Sequence, residues 1–230
     1  MGSFFFQDGE ISLSSIYRSD VLNIFSDASI TGKPGNQTGC YGVVGVIKDD
    51  IIDSTYRFTT HTTSNESEIK GLRAAIDMAM KYAGKIAYIN IFCDSQISVF
   101  GLREYIYKWR YNPKDGRLYS SLGKPVVNQD IFVECRLMLD EICTKTGTII
   151  ALYHQSGHID NRYDDLKKAA YTFGRSNNFV GHIDLNFIRY ISTYNNFVDH
   201  NSRSLLRRTN TRVLEIIDPI SFHHKGPFRK

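Results

Sequence analysis

Val21-Leu22-Asn23-Ile24-Phe25-Ser26-Asp27 is a short apolar run that ends in a carboxylate. Such a run reads as a buried strand. Downstream lies a loop of turn formers, Thr31-Gly32-Lys33-Pro34-Gly35-Asn36. Residues 40–47 (CYGVVGVI) read as a second strand, Lys48-Asp49-Asp50 as a turn, and residues 51–61 (IIDSTYRFTTH) as a third strand. Connections this short imply an antiparallel meander.

The period then changes from two to that of a helix. Ile69, Leu72, Ala75, Ile76, Ala79 and Met80 recur at helical spacing, with Lys70, Arg73, Asp77 and Lys81 on the other side. Thr63 or Ser64 is positioned to cap this helix. A strand from Ile86 to Cys93 ends at Asp94, and a helix is expected from about Ser95 to Lys108. Residues 110–124 read as a polar loop. A second amphipathic helix covers about 128–144 with Ile131, Val133, Leu137, Leu139 and Ile142, and the strand Thr148–Tyr153 ends at His154. Three antiparallel strands followed by alternating helices and strands predict an α/β sheet with helices on both faces.

The remainder is less regular. Residues 1–20 form a mixed N-terminal extension. Helical pieces are expected at Tyr163–Phe173 and Ile183–Tyr190, and 205–230 reads as a basic C-terminal tail. The chain of 230 residues is 42% hydrophobic and 23% charged, which excludes a disordered protein and fits one decorated domain or at most two small ones. A formal charge of +4 suits a nucleic-acid binder without selecting one. Cys40, Cys93, Cys135 and Cys143 form no C-x-x-C pair and are expected to be free, buried thiols, with Cys135 and Cys143 on one helix face. No apolar run approaches the roughly 20 residues of a membrane span, and no signal peptide is evident, so no membrane partner and a cytoplasmic location are expected.

Asp27 and Asp94 each stand at the carboxyl end of an expected buried strand, and Glu68 stands in the first turn of the helix between them. In an open α/β sheet the functional crevice lies outside the carboxyl ends of the strands. Should those two strands be neighbours, three acids converge there. Clustered carboxylates repel one another and take up protons unless cations neutralise them. Oxygen-only ligands favour magnesium or manganese. An isolated acid at a strand end is ordinarily a cap or a solvated turn residue, so the surrounding words matter.

Those words resemble the type 1 ribonuclease H family in five places, in the family's order. They are IFSDAS (24–29), TSNESEIKGLRAAI (63–76), IFCDSQ (91–96), GKPVVNQDIF (123–132) and YHQSGH (153–158). The resemblance spans about 21–158, with a further stretch, NNFVDHNSR, at 195–203. It implies a ribonuclease H-like fold: a five-stranded mixed sheet, three antiparallel strands then two parallel, with helices on both faces. Residues 21–204 would form the domain, with 159–194 as a helical insertion. The implied activity is hydrolysis of the RNA strand of an RNA–DNA hybrid through two Mg²⁺ ions, with Mn²⁺ as a substitute, leaving 3′-hydroxyl and 5′-phosphate ends. The register selects Glu68 over Glu66, so Asp27, Glu68 and Asp94 would hold the metals. His158 would be the mobile histidine that assists the water or product release, with His154 as the alternative. The fourth carboxylate is Asp199 by the NNFVDHNSR match; Asp165, four residues after Asn161, is the competitor.

For the hybrid itself the resemblance selects Asn36, Ser64, Asn65 and Gln96 as groups that test for 2′-hydroxyls. Ser64 stands where the family carries Asn. YIYKWRY (105–111) lies where the family has a basic handle, which points to Lys108 and Trp109 as substrate contacts, although Trp109 also suits a core position. No obligate protein partner is evident, and a monomer is expected. Two other functions fit the same fold: a DNA-directed nuclease of the resolvase or transposase type, and a catalytically silent nucleic-acid-binding module. The T-S-N and D-S-Q words favour the ribonuclease branch over the first, and the presence of all three core acids argues against the second.

Overall fold

The computed structural model describes residues 9–34, 36–160 and 162–209. Its central sheet has the strand order β4-β3-β2-β5-β8, built from β2 (Val21–Thr31), β3 (Gln37–Ile47), β4 (Asp50–Thr62), β5 (Tyr88–Cys93) and β8 (Ile149–His154). β2, β3 and β4 form the antiparallel meander, while β5 and β8 join β2 in parallel. This is the mixed five-stranded α/β fold expected from the sequence. The two short remaining pairs are β1 (Glu10–Ile11) with β9 (His182–Ile183), and β6 (Arg110–Asn112) with β7 (Arg117–Tyr119).

Alternation along β2 assigns the two faces. Leu22 and Ile24 pack with Ile69, Leu72 and Ile76 of α2 (Ser64–Tyr82) and with Phe132, Cys135 and Leu139 of α4 (Gln129–Lys145). Val21 and Phe25 face the opposite layer, where α5 (Tyr163–Ser176) and α6 (Leu185–Thr209) contribute Leu166, Phe173, Phe187, Tyr194 and Val198. Phe25 is stacked between Phe92 and Tyr194, each with ring centroids 5.2 Å from its own. Offset ring pairs of this kind add to what burial alone contributes. α6 approaches β3 closely at Gly42, where an added Cβ would sit 2.8 Å from the Ser202 hydroxyl and 2.4 Å from the Tyr56 ring. Only a residue without a side chain permits that contact.

The β2–β5 register positions the site. Asn23 lies opposite Asn90, and the buried Asn90 amide donates to Asn23 Oδ1 at 2.9 Å. A one-residue slip would send every side chain of the strand to the other face. This register places Ser26 beside Cys93, so Asp27 and Asp94 follow side by side where the parallel pairing ends, although β2 does not stop at Asp27 as expected but runs on to Thr31 in its pairing with β3.

Several expectations need correction. Residues 9–20 of the N-terminal extension are part of the fold: Ile11 of β1 and Ile16 of the short helix α1 (Leu13–Ile16) are buried in the α5/α6 layer, and β1 pairs parallel with β9. Two buried residues in elements this short leave no period to read. The helix after Asp94 changes pitch, from α3 (Gln96–Phe100) to a wider turn at Gly101–Tyr105 and a tighter one at Ile106–Lys108. The polar loop 110–124 contains the β6–β7 hairpin. α4 buries Phe132, Cys135, Leu139 and Ile142, leaving Val133 and Leu137 exposed. Cys143 is likewise exposed rather than buried, although all four thiols are free as expected. Residues 205–209 belong to α6, not to a tail, and Leu205 and Leu206 pack with Cys40; the rest of the expected tail lies outside the described residues. Of the helical piece expected at Ile183–Tyr190, Ile183 belongs to β9, and from Leu185 on it is the start of that same α6 helix.

Candidate active site

Thr63 caps α2 by accepting a hydrogen bond from the Glu66 amide at 3.2 Å. The cap fixes the phase of the first turn. Glu66 is thereby directed to Lys70, with which it pairs at 2.6 Å. Glu68 points to the carboxyl ends of β2 and β5, where it lines a cleft of about 500 Å³ with Asp27, Asp94, His158 and Asp199. Asp199 reaches the cleft from α6, 170 residues beyond Ser29, whose hydroxyl donates to Asp199 Oδ1 at 3.2 Å. Asp165 is elsewhere: it pairs with Arg162 at 3.0 Å on the first turn of α5.

The acids are poorly solvated. Asp27 is 3% exposed and Asp199 8%. Three buried carboxylate oxygens, Asp27 Oδ2, Glu68 Oε2 and Asp94 Oδ1, have no hydrogen-bond partner among the described residues. One ligand atom from each of Glu68 and Asp94 lies within 4.8 Å of the other, with the Cys93 thiol at the same distance or nearer. Burial, followed by the charges of Asp94 and Asp199, pushes Asp27 up to about 8. Burial, followed by Asp94 and Asp27, pushes Glu68 up to about 9. Burial also raises Asp94, to about 6, against the lowering effect of the nearby His158. An unpartnered buried carboxylate is costly, and a cation is the partner that removes the cost. The cleft offers carboxylate oxygens, while burial holds the proton on the neighbouring Cys93 thiol, which fits Mg²⁺ or Mn²⁺ rather than a thiophilic ion.

His158 follows β8 in a loop that crosses directly over Asp94. A Cβ at Gly157 would stand 2.4 Å from Asp94 Oδ2, so only glycine lets the loop pass. The His158 ring is exposed and adopts a left-handed backbone conformation, with φ 53°. Its Nδ1 is 3.5 Å from Asp199 Oδ2, and Arg203 contacts its Nε2 at 2.9 Å. Arg203 also pairs with Asp199 at 2.8 Å. His154 is a different kind of residue: it is buried, its Nε2 lies 3.2 Å from the Asp94 carbonyl oxygen, and burial lowers its proton affinity.

The expected substrate contacts disperse. Ser64 lines the carboxylate cleft; Asn36, Asn65, Lys108 and Trp109 do not. Gln96 lines a neighbouring cleft between α3 and α5. Trp109 packs edge-on against Phe132 with centroids 5.2 Å apart, a core contact. Arg203 ends the NNFVDHNSR stretch, but sequence reading did not see its contact with Asp199. The four-residue spacing of Asp199 and Arg203, one helical turn, carried that signal.

A mixed five-stranded sheet with acids gathered at the carboxyl ends of its adjoining parallel strands defines an α/β protein of the ribonuclease H-like class. The family model described as RNase H matches residues 19–170, and the chain belongs to the ribonuclease H family. It is 31% identical over 151 residues to ribonuclease HI of Pasteurella multocida (strain Pm70), covering 64% of this chain and 88% of that relative. Among solved structures it is similar to LC11-RNase H1 in complex with an RNA/DNA hybrid, at 16% identity and a TM-score of 0.40 over 69% of this chain and 93% of the other. It is also similar to the RNase H domain of the foamy virus PFV, at 17% identity and a TM-score of 0.45 over 71% and 96%. The family match ends before α6, so Asp199 lies outside it.

Proposed function

We propose that this chain hydrolyses the RNA strand of RNA–DNA hybrids, leaving 3′-hydroxyl and 5′-phosphate ends, with Asp27, Glu68, Asp94 and Asp199 as ligands of two Mg²⁺ ions. The observation that carries this reading is the convergence of three unpartnered carboxylate oxygens in one cleft of a ribonuclease H. Mn²⁺ suits the same oxygens. When bound, such ions activate a water and stabilise the leaving oxygen of a phosphodiester.

The chain's own groups do the remaining work. The β2–β5 register holds Asp27 and Asp94 side by side, and the capped first turn of α2 aims Glu68 at them. Ser29 and Arg203 orient Asp199 through its Oδ1. His158, exposed at the rim, takes or delivers a proton at a ring nitrogen while Arg203 and Asp199 steady the ring. Ser64 at the cleft wall and Gln96, two residues after Asp94 on the chain, would meet sugar hydroxyls. The free thiols suit a reducing cytoplasm. We read the protein as acting there as a monomer.

The test uses an end-labelled RNA–DNA hybrid with Mg²⁺. RNA-strand cleavage is expected, and it should vanish with EDTA and in Asp94→Asn. Cleavage of duplex or branched DNA instead would overturn the reading.

A further inference from the structure

Beyond the carboxylates, the described residues form a second cleft at the same end of the sheet. It measures about 350 Å³ and lies between α3 and α5, lined by Gln96, Phe100, His154, Tyr171, Arg175 and Ser176, with Thr172 beside them. Its chemistry is a cation, two aromatic rings, an amide and hydroxyls. That combination suits the backbone and bases of a nucleic-acid strand.

Three observations give it weight. Arg175 is exposed, contacts the Tyr171 ring at 5.9 Å, and has no carboxylate partner among the described residues. An arginine poised on an aromatic ring and left without an anion is prepared to meet one. The floor is rigid: Arg103 donates to Asn177 at 2.7 Å, and the Asn177 amide donates to the His154 carbonyl at 2.8 Å. The two clefts are neighbours across Asp94: the His154 ring, which lines this one, contacts the Asp94 carbonyl oxygen, and Gln96 is two residues from that acid. A strand held at the carboxylates would have this opening close by.

We infer that the α3–α5 cleft is a second substrate-binding site, in which Arg175 holds a backbone phosphate of the hybrid and Tyr171 packs against the adjoining nucleotide. α5 lies in the segment 159–194, so the extra helix extends the track that the strand follows. This rests on the hybrid-cleaving reading above.

The experiment measures steady-state cleavage of a labelled hybrid of about 20 base pairs across a salt series. Arg175→Ala and Tyr171→Ala are compared with Arg175→Lys and with Lys81→Ala, a control at the far end of α2. Arg175→Ala is expected to raise KM about tenfold with kcat within about twofold, and to lower the slope of log affinity against log salt by about one. Tyr171→Ala should raise KM about tenfold, in the range of a single stacking contact. Arg175→Lys should keep the slope, and Lys81→Ala should match wild type. Both mutated α5 side chains are exposed, so melting temperatures should be unchanged. If Arg175→Ala keeps the wild-type KM and salt slope, the site is refuted. If wild type cleaves no hybrid at all, it is the underlying activity that fails.

Discussion

Glu68→Gln should make the metal-free protein more stable while destroying its response to magnesium. The wild-type carboxyl is pushed up to about 9, mostly by burial and then by Asp94 and Asp27, from an ordinary 4.5. A carboxyl whose folded proton affinity is raised contributes stability that is complete below the unfolded pKa and is lost as pH rises through the folded one. The metal-free wild type therefore weakens steadily between 4.5 and about 9. Glutamine has the shape of the protonated acid and carries no such loss. At about 1.4 kcal/mol per pH unit, the three units up to about pH 7.5 set an upper figure of about 4 kcal/mol. A second route uses the Asp94 ligand atom within 4.8 Å of that of Glu68: with an effective dielectric near 20, one charge pair at that range costs about 3.5 kcal/mol. Relaxation and water entry bring the expected difference to about 2 kcal/mol, or roughly 4–8 °C in Tm for a domain of this size. Thermal melts in EDTA at about pH 5 and pH 8 should show no difference at the lower pH and a more stable variant at the higher. Added Mg²⁺ should reverse the order, because binding to the folded state alone stabilises only the protein that retains its ligands. A variant less stable than wild type in EDTA at the higher pH would refute the reasoning.

Three further outcomes are expected. Asp199→Asn should abolish hybrid cleavage, whereas Asp165→Asn should leave kcat within about twofold, since its carboxylate serves only an exposed pair of small worth; equal losses would contradict the assignment. Gly157→Ala should weaken Mg²⁺ binding, measured by calorimetry, about tenfold or more, the range seen when the surroundings of metal ligands are disturbed, because its methyl would sit 2.4 Å from Asp94 Oδ2; unchanged affinity would show that the loop yields freely. Ile16→Ala should cost about 2–4 kcal/mol in urea unfolding, as this side chain of the N-terminal segment is 1% exposed; a cost under about 0.5 kcal/mol, typical of surface changes, would mark the segment as dispensable.

The local signals in this chain were strong wherever period and capping agree. VLNIFSD, the helical recurrence from Ile69, and the strand before Asp94 were legible because a residue's own neighbours determine them. With strand ends fixed, Asp27, Glu68 and Asp94 could be placed together from sequence. α4 was misread because Val133 and Leu137 are as apolar as the Phe132 and Cys135 that the core took instead. Composition cannot say which side of a helix meets a sheet when both sides carry apolar residues. The N-terminal segment was misread because its two buried isoleucines form no pattern.

Tertiary structure alone decided the rest. Whether Asp199 or Asp165 joins the cleft depends on how α5 and α6 lay across the sheet, and that follows from packing around Phe25, Phe92 and Tyr194 rather than from either acid's neighbours. Gln96 faces the α3–α5 cleft because α5 packs beside β8, an arrangement to which the D-S-Q word is blind. Sequence determined which residues could be ligands, since strand ends and helix caps are local events. Contacts between residues 170 positions apart determined which acid stands with them, because only burial of whole faces brings such distant segments together.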